Sequence, residues 1–535
     1  MLVHAPCLGY GGTEGRTGDL IAGCSPGLVI TKPVRPSAPT AASLHFTLRP
    51  TTTKYRILSP CPDRLTAASD PRCWRREASS PPLFMKPILR SPAFVSLLVF
   101  LSASSFAATH WSQFRGPRAS GVDASRPLPT RWDAETGANV RWQTPIPGLA
   151  HASPIVWGDR VYVATAVSAG AKSELKVGLY GNIESAPEKD VNQWRLLSLD
   201  KVSGAVIWDV LGHEAVPKVA RHTKATHCNS TPATDGQRIV AIFGSEGLFC
   251  FDAITGKLLW KMDLGSMDSG YFQVPTAQWG FASSPILHEG KVIVQVDVQK
   301  DSFLAAFDLA TGEERWRTAR SDVPTWGTPT IVTAGGRTQI AVNGWHHSGG
   351  YDFATGRELW RYDGGGDIPV PTPIAAGNLI YFTSAHGRSR PMRAIRTDAS
   401  GDLTPDDSGA MKPGVAWNHD RKGNYMQTPI VVGDLLYGCT DVGLVTCFDA
   451  KTGEIRYSER LSKTSEGYTA SPVSDGRNLY FTSELGNVFV VPANGTFSVL
   501  ANNPLGETCL STPAISDGML FFRTRDKIVA VGPAM

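Results

Sequence analysis

The stretch Gly247–Trp260, GLFCFDAITGKLLW, decides how this chain is read. Leu248–Phe251 is apolar and β-prone with no helical spacing. Asp252-Ala253-Ile254-Thr255-Gly256 then supplies turn chemistry, because an Asp side chain bonds amides further round a turn and Gly tolerates positive φ. The apolar run resumes at Leu258-Leu259-Trp260, so the segment reads as a β-hairpin closed on Thr-Gly. The same phrase returns as AAFDLATGEERW ending at Trp316 and GGYDFATGRELW ending at Trp360. Partial copies end at Tyr457 and Trp208. A phrase recurring every ~40–50 residues is the signature of a repeat architecture, and a Trp at a fixed place in it is expected to wedge between neighbouring units.

A second phrase precedes each copy. ASPIVWGDRVYVAT, STPATDGQRIVAIFG and QTPIVVGDLLYGCT are three of eight such starts, with prolines at Pro154, Pro232, Pro285, Pro329, Pro373, Pro429, Pro472 and Pro513. Each reads as a short strand, a Gly or Asp turn and a stronger strand, which with the hairpin makes four antiparallel strands per unit. The last unit is short, and NVRWQTPIPG (Asn139–Gly148, with Trp142) offers the missing strand from the other end. The expected fold is all-β: an eight-bladed β-propeller over residues 139–535, its ring closed by an N-terminal strand, with 108–138 as a lead-in. Closure removes the sheet edge that an open solenoid, the alternative architecture, would leave exposed.

Nothing before residue 108 shows the repeat. Residues 1–84 are rich in Pro, Ser, Thr and Arg without periodicity, and read as an unstructured upstream extension preceding the true start. Met85 opens a secretory signal pattern over 85–107: basic Lys86 and Arg90, the apolar Phe94–Leu101, and a small-x-small site with cleavage after Ala107. The expected product is periplasmic or secreted, with no transmembrane segment. From Ala108 on, 40 Lys and Arg stand against 43 Asp and Glu, so the basic balance of the whole chain is no sign of nucleic-acid binding. Five cysteines remain, Cys228, Cys250, Cys439, Cys447 and Cys509, with no zinc-type or haem spacing. Cys439 and Cys447 flank a hairpin turn within reach of a disulfide, although burial as small apolar side chains suits all five.

The repeated FDxxTGxxxW phrase resembles the tryptophan-docking motif of quinoprotein alcohol dehydrogenases. The body from WSQFRGP (Trp111–Pro117) onward is similar to secreted bacterial PQQ-binding-like repeat propellers. The resemblance implies the fold, with Trp142, Trp208, Trp260, Trp316 and Trp360 as blade-docking side chains. For function it admits two classes, since the same blades serve dehydrogenases and non-catalytic assembly scaffolds. The enzymes close a ring of two adjacent cysteines beside the quinone and hold Ca²⁺ there with carboxylates. This chain has no Cys-Cys pair and no local oxygen-ligand cluster. The reading is therefore a non-catalytic binding or assembly scaffold with no cofactor expected; the alternative is a PQQ-dependent dehydrogenase of alcohols or sugars, with PQQ and Ca²⁺, and an unconventional site. No catalytic or metal-binding residue is assigned.

Ligands of propellers bind at the channel mouth. One rim is expected from the residues before each innermost strand and the turn between the second and third strands. It offers His151, His227, Trp279, Trp326, Trp345, His346, His386, Arg388, Tyr425 and Arg525 as ligand-binding candidates. Each has a plainer role available: the tryptophans as wedges between blades, the adjacent histidines as a solvated pair, the arginines as solvated rim charges. Two insertions, Lys172–Gln193 and Asp398–Pro413, break the repeat; the second is rich in Asp but fits no Ca²⁺-loop pattern. The expected partner is an envelope protein or a small ligand at one face, bound by a monomer.

Overall fold

The computed structural model describes residues 110–170, 172–178, 185, 186 and 188–533. The leader at 85–107 and the extension at 1–84 lie outside the described residues. Eight four-stranded antiparallel sheets follow one another in chain order. Blade 1 comprises Ile155–Trp157, Arg160–Ser168, Asn192–Asp200 and Val206–Ala215. Blades 2 to 7 begin at Ala233, Ile286, Thr330, Ile374, Ile430 and Val473. Blade 8 takes Ala514–Ser516, Met519–Arg523 and Lys527–Val531 from the end of the chain and Val140–Pro145 from its beginning. Trp142 pairs with Ala530 and Thr144 with Ile528, so the ring closes through the N-terminal strand. Among the described residues the one helical element is the three-residue 3₁₀ turn Pro117–Ala119, and no helix is long and apolar enough to cross a membrane.

The recurring phrase has a local cause and a long-range one. In blade 2, Asp252 Oδ1 accepts from the amides of Ile254 and Thr255 and from the Thr255 hydroxyl, at 3.1, 2.8 and 2.7 Å. That closes the turn and brings Gly256 to φ 73°. The indole of the preceding blade lies on this glycine. Trp208 Nε1 donates to Ile254 O, and Trp142, Trp260 and Trp316 donate to the carbonyls of Lys201, Leu309 and Phe353, one position nearer the turn's Asp. A Cβ on Gly356 would lie 2.4 Å from the Trp316 ring, so glycine is needed for the approach as well as for the turn.

Trp360 differs. Its Nε1 donates within its own blade, to Gln339 Oε1 at 2.8 Å, and its ring meets blade 5 by apolar contact with Ile380 and Phe382. Blade 5 has no Thr-Gly turn to receive it, because the Asp398–Pro413 insertion stands there. That insertion instead lays Gly401–Asp402 in parallel beside Trp360–Arg361, covering the outer edge of blade 4. Trp417, outside the repeated phrase, docks on blade 6 through Ala450 O at 3.0 Å and Gly453.

The five cysteines of the ring are buried and unpaired, which corrects the disulfide expectation. Cys439 faces Val445 and Cys447 faces Tyr437, so the hairpin register sets the two thiols apart.

Candidate functional site: a plugged cup on the propeller axis

The residue before each repeat proline is Ser or Thr: Ser153, Thr231, Ser284, Thr328, Thr372, Thr428, Ser471 and Thr512. All eight line one axial cavity of about 390 Å³. They also bond one another round the ring. The Thr231 hydroxyl accepts from Ser153 N at 3.0 Å, Ser284 from Thr231 N at 2.9 Å, and so on through Thr512, which accepts from Ser471 N at 3.0 Å. Seven blade junctions carry this link. At the eighth, between the last blade and the first, the buried Ser153 Oγ has no partner. Each linked hydroxyl spends one acceptor site on an amide and keeps its own proton.

The lead-in crosses the far end of the channel. Trp111 exchanges two backbone bonds with Val156 of blade 1, Ser112 O accepts from Thr234 N of blade 2, and Gln113 Oε1 accepts from Leu287 N of blade 3. Arg115, fully buried, donates to Pro472 O at 2.8 Å, Pro429 O at 3.0 Å and Ala119 O at 3.2 Å. Among the described residues no carboxylate pairs with it, and burial pulls its guanidinium down to about 9. Phe114, next in line, reaches the cavity. The channel is thus a cup, plugged by the chain's own lead-in.

Three connectors build the other end. The hairpin Gly270–Tyr271 with Val274–Gln278, between blades 2 and 3, brings Tyr271 against Trp279, rings 5.3 Å apart and near-parallel. Trp279 in turn meets Trp326 at 5.4 Å. Tyr271 Oη donates to Asp367 Oδ2 at 2.9 Å, and the other oxygen of Asp367 meets His386 Nδ1 at 3.1 Å. His386 lies on Tyr425 with centroids 5.7 Å apart. The connector between blades 1 and 2 carries Lys224, whose Nζ bridges to Glu484 of blade 7 at 2.5 Å. The described part of the Lys172–Gln193 insertion is tied over the same region: Gly178 N donates to Glu484 Oε2, and Glu188 takes Arg221 Nε at 2.8 Å. Burial works against the Glu188 charge, yet hydrogen bonds from His227 and Arg221 hold its carboxyl down at about 2.

His151 Nε2 lies 2.8 Å from the Lys224 carbonyl. A carbonyl only accepts, so Nε2 carries the proton and Nδ1 the lone pair. Burial, with Lys224 and Arg221 nearby, lowers this imidazole to about 4 and keeps it neutral. Burial raises the Tyr425 phenol, helped by the charges of Asp441 and Asp367.

Of the ten rim candidates, His151, Trp279, Trp326, His386 and Tyr425 line the cup. His227 is buried behind it against Glu188. Trp345 and His346 are held aside, because Asp322 takes both their amides at 3.2 Å and Trp345 packs on Phe272. Asp322 belongs to a buried cluster in which Arg320 bonds Asp297 at 2.8 Å and Thr325 bonds Asp297 at 3.0 Å, fixing the backbone beside Trp326. Arg388 is exposed, and Arg525 bonds Gly148 O, Ser173 O and Asp526 away from the cup. Sequence reasoning missed His222, Lys224 and Tyr271, which sit on connectors outside the repeat; the aromatic run Tyr271-Phe272 before Trp279 was the available signal.

The donor set bears on the quinone alternative. Among the described residues no Asp or Glu lines the cup, and the one ammonium lining it, Lys224, is bonded to Glu484. No group of His, Cys, Asp and Glu among the described residues has metal-site geometry. A tricarboxylate quinone with Ca²⁺ asks for both, so these residues do not fit it.

Eight four-stranded blades, five of whose junctions seat a Trp of one blade on a Ser-Gly or Thr-Gly turn of the next, define a PQQ-like repeat propeller. The family model described as outer membrane protein assembly factor BamB matches residues 192–459, half of the chain, and the chain belongs to that family. Over 291 residues it is 20% identical to outer membrane protein assembly factor BamB of Shewanella oneidensis, covering 53% of this chain and 69% of that protein. A local match, 32% identical over 143 residues, is to tetrathionate hydrolase of Acidithiobacillus ferrooxidans; it spans 25% of each chain. Among solved structures, BamB from Moraxella catarrhalis superposes with TM-score 0.46 at 14% identity, over 69% of this chain and 100% of that one. Quinohemoprotein alcohol dehydrogenase from Comamonas testosteroni gives 0.49 at 13% identity, over 80% and 81%.

Proposed function

We propose that this chain is a non-catalytic scaffold of the bacterial envelope, a propeller that holds a protein partner on its outer surface. The observation that carries the reading is the outer strand of blade 1. Val206–Ala215 is ten residues long, where the other outer strands run four to six. It has no Lys or Arg, and it exposes Val206, Ile207 and Leu211. Blades 2, 3, 4, 6 and 8 each carry Lys or Arg on the corresponding strand. Of the fourteen large apolar side chains exposed among the described residues, eight lie between Val191 and Leu259. A long edge free of Lys and Arg, with apolar side chains exposed along it beside the acidic Asp209 and Glu214, is what a partner strand pairs with.

Membership in a family described as an assembly factor supports the same reading. A dehydrogenase working through PQQ is set aside on the donor set of the cup. The local identity to a hydrolase covers only a quarter of that enzyme. Residence in the periplasm rests on the leader read at 85–107.

The test is photo-crosslinking in living cells with the probe at Leu211, compared with a probe at Glu313 on blade 3. A discrete envelope protein captured from Leu211 and lost in an Ile207→Lys, Leu211→Lys variant of unchanged circular dichroism supports the scaffold. Identical, empty lanes from both positions overturn it.

A further inference from the structure

The cup is a site in its own right, independent of any partner on the outer edge. We propose that it binds a compact organic cation, a quaternary ammonium head with a short oxygen-bearing arm.

The cavity has two unlike sides. On one, Trp279, Trp326, Tyr271 and Tyr425 present aromatic rings to about 390 Å³ of space. Trp279 and Trp326 are inclined at 42° to each other, an angled aromatic wall and not a flat stacking slot, with Tyr271 stacked on Trp279. Behind this wall stand carboxylates. Asp367 is bonded to Tyr271 Oη and His386, and it and Asp441 both act on the Tyr425 phenol. Aromatic faces backed by anions attract a cation that has shed its water, and a methylated ammonium sheds it at little cost because it donates no hydrogen bonds.

On the other side lie His151, Lys224 and the hydroxyl belt. His151 is neutral and does not repel a cation; Lys224 is bonded to Glu484. Ser153 Oγ, in a residue only 2% exposed, lines the cavity with no partner. An unpaired buried hydroxyl costs stability unless something completes it. A hydroxyl or ester oxygen on the ligand's arm, reaching down from the aromatic wall, completes it and leaves the seven linked hydroxyls undisturbed.

An anionic ligand meets the wrong surroundings, since the ammonium that lines the lumen among the described residues is bonded to Glu484 and Asp367 and Asp441 oppose the ligand's charge. A purely apolar one leaves Ser153 Oγ and Trp279 Nε1, the two buried polar atoms of the described lining without a partner, both unanswered. The cation with an oxygen-bearing arm suits the aromatic wall and answers one of the two.

Calorimetric titration of the intact chain with choline, and with its uncharged isostere 3,3-dimethylbutan-1-ol, separates charge from shape. Choline is expected to bind once per chain and about tenfold tighter than the isostere, the scale of a desolvated cation–π contact. Trp326→Leu, which keeps apolar volume and removes the π-face, should weaken choline and leave the isostere unchanged. Where that variant does not fold, Asp367→Asn serves, weakening choline several-fold at constant shape. Equal affinity for choline and the isostere, or no heat from choline, overturns the proposal. Glycerophosphocholine binding tighter than choline assigns the head to a lipid, and the reverse to a free solute; either supports the cation site.

Discussion

Gly356 sits at φ 72° with the Trp316 ring where a Cβ would go, while Gly290, also at φ 72°, has open space around it. Alanine at Gly290 therefore meets only backbone strain, about 1 kcal/mol, and alanine at Gly356 adds the displacement of a docked indole, for a total of about 3 kcal/mol. Urea unfolding of the two variants should show that gap; equal losses would mean the indole does not need the glycine. This part of the fold was legible because Asp, Thr and Gly act on one another within a single turn. The docking partner was less so. Trp417 escaped notice because its own hairpin is stretched by an insertion, and what identifies it is the glycine of the next blade, 36 residues further on. His151 also titrates at this scale. Its folded pKa of about 4 lies below the ordinary 6.5, so its contribution is complete above pH 6.5 and is lost as pH falls toward 4. Between pH 7.5 and 5 the chain should lose about 1–2 kcal/mol from this group, and His151→Gln should flatten that slope.

The inner strands are joined by a belt that the quoted phrases contained but did not explain. Proline at the head of each strand was visible as a repeat; the hydroxyl before it was visible only as a letter, because its bond goes to an amide 41 to 78 residues away. Removing one link leaves a buried amide unanswered. Thr428→Val strips the acceptor from Thr372 N and should cost about 1–2 kcal/mol. Ser153→Ala removes a hydroxyl that accepts nothing in the ring and should cost less than about 0.5 kcal/mol. Thermal denaturation of the pair tests whether the belt is open at the seam. A Ser153→Ala loss as large as that of Thr428→Val would mean the eighth link is made.

At the scale of the molecule, the ring closure was readable because the last unit lacked one strand and the first residues of the domain supplied it. The cup was half readable. Topology alone placed His151 and Tyr425 at one rim, but the connectors carrying Tyr271, His222 and Lys224 belong to no repeat and so had no position to be read from. The plug had no repeat counterpart either. Its anchor is Arg115, which joins the heads of blades 6 and 7 through two proline carbonyls, a pairing that follows only from the closed ring. Arg115→Ala leaves those acceptors empty and the crossing segment held by backbone bonds at its two ends, Trp111 to Val156 and Asp123 to Ser474. The ring itself closes through Val140–Pro145, which does not depend on the plug. Hydrogen exchange should therefore separate the two. In the variant the amides of Gly116 and Gly121 are expected to exchange at least about tenfold faster, a local loss of about 1.4 kcal/mol or more, while those of Val140–Pro145 keep their protection. Unchanged rates at Gly116 and Gly121 would show that Arg115 does not anchor the plug. Equal acceleration in both segments would make plug and ring one cooperative unit, with the channel closed for as long as the propeller is folded.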